Sequence, residues 1–234
     1  MDAITLFEEY VDWLRVNVPL AFENLAPPAS RAEIDELEKA LGQRLPDDVK
    51  AVLAMHNGQL STDIATGGEG AVPCIPTLSF LSTRLIEQCW SSWIAVREGS
   101  EIEQLQAFGA VMAGAEGRVK PLYTSAGWIP LWSDTSRSDY IGLDLDPDHA
   151  GVPGQIINFG RDEERHFVCA ESFTDLLSFL LDEVRSGRWP ASTVVEGEDD
   201  DDPGDESESY PWFGLPGEHF FNALHARSDP LTAG

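Results

Sequence analysis

Three aspartates at alternate positions, Asp144, Asp146 and Asp148, are the first candidates for chemistry in this sequence. Carboxylates with this spacing begin the loops that bind calcium, where their oxygens converge on one cation. The rest of such a loop is missing, because His149 occupies the position of the required glycine and Gln155 that of the bidentate glutamate. We therefore interpret the three residues as strand-end and turn aspartates, and predict no metal site.

Histidine and cysteine offer a second possibility, since His166-x-x-Cys169 together with His149 contains three potential zinc ligands. Zinc sites usually carry paired cysteines close together, and Cys169 follows the alternation of a core residue in a strand. Neither Cys74 nor Cys89 lies in the positively charged setting that lowers a thiol pKa. The pattern predicts a protein that uses no cofactor and is not an enzyme.

The elements that would position these residues form an antiparallel meander between Trp128 and Ala170. Four apolar runs alternate with clusters of turn residues, and Ile141, Leu143 and Leu145 repeat with the period of a strand. The same period places Trp128 and Trp132 on one side of the sheet, where we expect them to be core residues. A helix capped by Ser172 should follow, with its apolar stripe packed on the sheet.

The N-terminal third is predicted to be helical. Ile4, Phe7 and their successors follow a helical period up to Pro19, Ser30-x-x-Glu33 is a capping box, and Pro46 suits the first turn of a third helix. Between this region and the meander, the sequence predicts a strand over 75–81, a helical stripe over 85–94, a helix capped by Ser100 and carrying Phe108, and an edge strand over 119–123.

The C-terminal part has a different composition. We expect residues 1–189 to form one domain, 190–209 to be an acidic disordered linker, and 210–234 to dock through its aromatic side chains. Segment 196–208 contains nine acidic and no basic residues, so it has little apolar surface to bury.

The charge balance restricts the kind of partner. The chain has 41 acidic and 15 basic residues, a net charge of −26, which opposes binding to nucleic acid or anionic membranes and favours basic partners. Three widely spaced cysteines cannot form a closed disulfide framework, and the first residues lack the positive charge of a signal peptide. We therefore expect a cytoplasmic protein that is monomeric or weakly dimeric.

Four segments of the sequence, GWIPLWSD, DYIGLDLDP, GVPGQIINFG and SFTDLLSFLL, resemble the SUKH superfamily in their order and separation. The superfamily includes a fungal cell-wall-assembly regulator and many bacterial immunity proteins of toxin systems, and the resemblance covers roughly residues 30 to 187. It implies an α+β fold, in which N-terminal helices and a C-terminal helix pack on a predominantly antiparallel sheet.

The function that the resemblance implies is binding. Our first hypothesis is an immunity protein that neutralises a cognate, basic protein toxin, for example a nuclease, through the turn carboxylates. Its expected contact residues are Asp134, Asp139, Asp144, Asp146 and Asp148. The alternative is a regulatory scaffold of the cell-wall-assembly-regulator type. A third hypothesis, of another class, is a metal-dependent hydrolase that uses Asp144, Asp146 and His149.

Overall fold

The computed structural model describes residues 1–61, 72–163, 165–196 and 208–228. Its N-terminal third is helical, as the sequence predicts. The capping box is present, since the Ser30 hydroxyl accepts from the Glu33 amide and the Glu33 carboxylate accepts from the Ser30 amide. Gly42 then ends that helix in the left-handed conformation. The four helices are α1 (Ala3–Asn17), α2 (Pro19–Glu23), α3 (Arg31–Leu41) and α4 (Asp47–Leu53).

The segment between these helices and the meander differs most from the sequence predictions. The helix assigned a Ser100 cap begins after Glu101 without a side-chain cap and ends at Gln106, which leaves Phe108 70% exposed. Residues 119–123 form no strand. The elements are β1 (Ser79–Phe80), α5 (Thr83–Ser92), α6 (Ile94–Arg97), α7 (Ile102–Gln106) and β2 (Ala110–Val111).

The predicted meander forms the centre of the fold. Its strands are β3 (Trp128–Ser133), β4 (Asp139–Asp144), β5 (Gln155–Gly160), β6 (Arg165–His166) and β7 (Val168–Ala170), followed by α8 (Phe173–Arg185). The main sheet has the order β1-β3-β4-β5-β7 with every pair antiparallel, while β2 and β6 form a short parallel pair. The α+β prediction is confirmed.

A β-bulge at Leu131 overturns the prediction that Trp128 and Trp132 share a face. Pro130 pairs with Gly142 and Trp132 with Ile141, so β3 contains one extra residue opposite β4. Trp128 therefore packs against Phe159 and His166, whereas the Trp132 ring lies 6.5 Å from that of Phe173 on α8. Both tryptophans are buried core residues, but they serve opposite faces of the sheet.

The C-terminal region contains more regular structure than its composition predicts. Strands β8 (Ala191–Glu196) and β9 (Glu208–Phe213) pair over their full length, so the predicted disorder does not hold for residues 191–196. Residues 197–207 and 229–234 lie outside the described residues. Helix α9 (Phe220–Ser228) follows and buries Phe220 against Trp132 and Trp189. The aromatic segment thus packs on the body of the fold.

Both edges of the main sheet are covered. At β1, the Gln59 amide donates to the Phe80 carbonyl and the Gln59 side chain accepts from the Phe80 amide. At the other edge, α9 packs beside β7. Covered edges resist pairing with a second chain. Separately, none of the helices in the described ranges has the length and apolar character needed to cross a membrane.

Candidate protein-binding groove

The five aspartates expected to contact a partner do not form one site. Asp134 and Asp139 lie at one end of β4, and Asp144, Asp146 and Asp148 lie at or beyond its other end. The six residues of β4 span five steps of about 3.4 Å each, which places the groups roughly 17 Å apart. A single contact patch of five carboxylates is therefore absent from the described structure.

At the first end, the carboxylates stabilise the turn between β3 and β4. The Asp134 carboxylate accepts from the amides of Ser138 and Asp139 at 2.8 and 3.0 Å and from the Ser136 hydroxyl. Asp139 accepts from the amide of Asp162 at 3.0 Å, and its burial raises its pKa. Because these oxygens bind the protein's own backbone, their first role is structural.

At the second end, Asp144 is 0% exposed and cannot touch a partner in this structure. Its carboxylate accepts from the Gln155 amide group and from the Asp146 backbone, and burial raises its pKa to about 6. Asp146 is exposed but pairs with Lys120 at 2.6 Å, and Asp148 accepts from the backbone and ring of His149. The geometry gives no support to a hydrolase site at Asp144, Asp146 and His149.

The structure also gives no support to a zinc site at His166, Cys169 and His149. The ring nitrogens of His166 face the carbonyl oxygens of Asn158 and Leu122 at 3.2 and 2.8 Å, and Cys169 is a buried free thiol. No group of three metal-binding side chains occurs within the ranges that the structure describes. His166 is instead a core residue, and its burial lowers its pKa.

A groove lies on the Trp128 face of the sheet, near the first pair of aspartates. Two adjoining cavities of about 490 and 360 Å³ share Leu105, Tyr123 and Arg161 in their walls. One wall comes from the segment between α5 and β2, which contributes Trp93, Val96, Leu105 and Phe108. The other comes from the β3–β4 turn and the segment between β5 and β6. We call this feature the turn groove.

Arginines border the turn groove. Arg137 belongs to the β3–β4 turn, Arg165 to β6, and Arg161 to the turn after β5. Arg161 pairs with Asp162 at 2.9 Å, whereas Arg137 and Arg165 form no ion pair with any residue in the described ranges. All three are exposed, so the groove combines aromatic and apolar side chains with accessible positive charge.

A titratable carboxyl group, that of Glu163, lines the same cavity as Arg161 and Arg165. Glu163 is half-buried, and this burial raises its pKa to about 7 despite a hydrogen bond from the Asn158 side chain. The negative charges of Asp139 and Asp162 raise the pKa further. Near neutral pH the groove therefore contains a carboxyl group that is only partly ionised.

The arrangement is suited to recognition. Burial raises the pKa of the Cys74 and Cys169 thiols, which opposes their use as nucleophiles. Aromatic residues and arginines, in contrast, dominate the binding energy of protein interfaces. Sequence reasoning missed this site, because it placed Phe108 on a buried helix face and attended to the aspartates of the turns. The arginines at 137 and 161, within those same turns, were the available signal.

Comparison with known proteins gives the family. The model of the SMI1/KNR4 family (SUKH-1) matches residues 28–178, which include both walls of the turn groove. Similar curated proteins include the glucan synthesis regulatory protein of Neurospora crassa, 26% identical over 78% of this chain and 38% of that protein. The cell wall biosynthesis/cell cycle regulator smi1 of Schizosaccharomyces pombe is 31% identical over 76% of the chain and 35% of its own length.

The cell wall assembly regulator SMI1 of Saccharomyces cerevisiae is 26% identical over 82% of the chain and 42% of its own length. This chain thus spans less than half the length of the curated relatives it matches. The matched range contains the whole meander, the bulged strand β3 and both turns that border the groove. The chain belongs to the SMI1/KNR4 (SUKH-1) family.

Proposed function

We propose that this chain is a non-enzymatic protein-binding module of the cell-wall-assembly-regulator type, which acts as a scaffold for regulatory partners. The names of the fungal relatives support this alternative over the immunity hypothesis that the superfamily resemblance first favoured. We also propose a reducing compartment, since Cys74, Cys89 and Cys169 are all free and buried.

The turn groove is the observation that carries the proposal. Phe108 exposes 70% of its surface and lines the same cavity as Arg161 and Arg165, and an exposed aromatic ring near arginines is typical of a surface that another protein covers. The walls of the turn groove belong to several separate elements. Substitutions in these elements can therefore change the side chains of the groove while the sheet stays the same. A scaffold that binds several proteins requires such a surface.

The immunity hypothesis retains one favourable observation, the net charge of −26, which would attract a basic toxin. The two functions predict different partner sets. A scaffold should bind several unrelated proteins through one surface, whereas an immunity protein should bind one toxin and rescue cells that express it.

Affinity purification of the tagged chain from its source cells tests the proposal. Phe108→Asp should reduce recovery of two or more partners at least tenfold, while Val16→Ser, which alters another exposed apolar side chain on α1, should leave recovery unchanged. Circular dichroism would confirm that both variants are folded. A partner set that Phe108→Asp does not alter would refute the scaffold function, and a single toxin whose lethality the chain suppresses would favour immunity.

A further inference from the structure

The charge at the turn groove is opposite to the charge of the whole protein. The chain carries 15 basic residues against 41 acidic ones, yet Arg137, Arg161 and Arg165 all border this one feature. The net negative charge of the protein would attract a basic partner. The arginines of the groove would attract an acidic one, and at short range it is the local charge that decides which groups come into contact.

The turn holds Arg137 in place through its backbone. Arg137 has φ +58°, a left-handed conformation that is uncommon for a residue other than glycine and that needs support from its surroundings. The Tyr140 hydroxyl donates to the Arg137 carbonyl, and Asp134 accepts from the amides that follow the turn. The main chain is thereby anchored while the guanidinium group remains exposed.

Arg165, like Arg137, combines an anchored backbone with an exposed side chain. Its carbonyl accepts from the Asn158 side chain at 3.0 Å, and its backbone pairs with Ala110 of β2. The side chain is exposed and has no ion-pair partner in the described part of the structure. Two guanidinium groups on anchored backbones are therefore available to bind carboxylates in the bidentate geometry that arginine favours.

Apolar surface lies alongside these cations. Leu105, Tyr123 and the exposed Phe108 line the two adjoining cavities. A ligand that fills the groove must place an apolar side chain against them and anionic groups towards the arginines. We propose that the turn groove binds an extended peptide segment of a partner protein in which carboxylates flank an apolar side chain; this inference rests on the proposed binding function.

The chain contains one acidic segment of its own that could compete for the groove. Residues 197–207 include seven acidic residues and no large apolar one, so their sequence fits the arginines but offers nothing to Phe108 and Leu105. Nucleic acid carries one phosphate charge per nucleotide, so the net charge of −26 repels it more strongly than it repels a short peptide with a few carboxylates. A partner segment with both charge and apolar surface fits best.

Fluorescence anisotropy of short labelled peptides tests the inference on the full chain. A peptide in which glutamates flank a phenylalanine should bind, and its affinity should fall as salt rises towards physiological strength. Replacing the glutamates with lysine, or the phenylalanine with serine, should weaken binding about tenfold or more. If the lysine peptide binds as well as the glutamate peptide, the inference is overturned.

Paired charge reversals locate the binding site. Arg137→Glu with Arg165→Glu should lower the affinity for the glutamate peptide about tenfold or more. Arg31→Glu with Arg84→Glu changes the net charge of the protein equally at exposed sites on α3 and α5, and should have little effect. Equal losses in the two double variants would show a general charge effect and would refute recognition at the groove.

Two further outcomes separate the possible occupants. If replacing residues 197–207 with a short glycine-serine turn raises the peptide affinity about tenfold or more, the chain's own segment competes for the groove and a partner segment must displace it; if the glutamate peptide binds neither protein, the inference fails. If cellular partners are lost in Phe108→Asp while the glutamate peptide does not bind, the proposed function stands and the acidic-peptide inference is wrong. An unchanged affinity after the deletion, with binding intact, supports the inference.

Discussion

Replacing Glu163 with Gln should change how the stability of the fold depends on pH. Burial raises the pKa of this carboxyl group from 4.5 to about 7 in the folded protein. The folded state therefore holds a proton that the unfolded chain releases between those two values. The cost of burying the carboxylate is fully present above pH 7 and disappears as the pH falls through 7 towards 4.5.

The size of the effect follows from the same pKa change. The difference between 4.5 and about 7 corresponds to roughly 3 kcal/mol, at about 1.4 kcal/mol for each pKa unit. Glu163 borders an open groove in which solvent screens part of this cost, so we expect about 1–2 kcal/mol. Glutamine retains an oxygen that can accept the Asn158 hydrogen bond. The variant should therefore be more stable than the wild-type protein by about 1–2 kcal/mol in mildly alkaline buffer.

Urea unfolding followed by tryptophan fluorescence measures this difference. The stabilisation by Glu163→Gln should shrink as the pH is lowered and be close to zero near the unfolded pKa of 4.5. Burial lowers the pKa of His166, which acts in the opposite direction, but it does so in both proteins and cancels in the difference. Glu103→Gln, at an exposed position of α7, is the matched control. A stabilisation that does not vary with pH, or a destabilised variant at alkaline pH, would refute the reasoning.

Three further predictions concern the fold. Leu177→Ala should cost about 2–5 kcal/mol of unfolding free energy, because the side chain is 2% exposed on the inner face of α8, and a near-neutral urea midpoint would show that this face is wrongly placed. Phe220→Ala should cost about 3–5 kcal/mol, since the ring contacts Trp132 and Trp189; unchanged unfolding would contradict the docking of α9. Replacing residues 197–207 with a short turn should leave the calorimetric Tm nearly unchanged, because the segment has few apolar side chains. A loss of more than roughly 2 kcal/mol of unfolding free energy would contradict this.

Local signals predicted much of the fold correctly. The capping residues Ser30 and Ser172 mark the starts of α3 and α8, since each side chain accepts a backbone hydrogen bond three residues later. The strands β3, β4 and β5 were also predicted from short alternating runs between turn residues. In these elements, the information that determines the structure lies within a few neighbouring residues.

Features that depend on distant partners were not predicted. The bulge at Leu131 exists only in relation to the register of β4, and it changes the face of Trp132. Strand β8 pairs with β9 across an intervening acidic segment, which composition alone assigns to a disordered tail. Asp144 has the sequence character of a surface residue, but Gln155 and the Asp146 backbone bind it in the interior. Tertiary contacts outweighed local preference at each position.

The candidate site shows the same limit. The turns that border the groove were predicted, and so was the presence of aspartates in them. The direction of each side chain was not predicted, because it depends on which carboxylate oxygens accept hydrogen bonds within the turn. Asp134 accepts from backbone amides, and Arg137 remains exposed. Phe108 became part of the site because α7 ends two residues before it.

Helix α9 has a consequence for the order in which the chain can fold during synthesis. It covers the outer edge of β7 and places Phe220 on Trp132, yet it is the last of the described elements to leave the ribosome. Until then, a nascent chain with all five sheet strands would expose an open edge and a tryptophan-lined surface. Completion of the core therefore waits until α9 has been synthesised, and a nascent chain that ends before α9 is more exposed to aggregation than one that includes it.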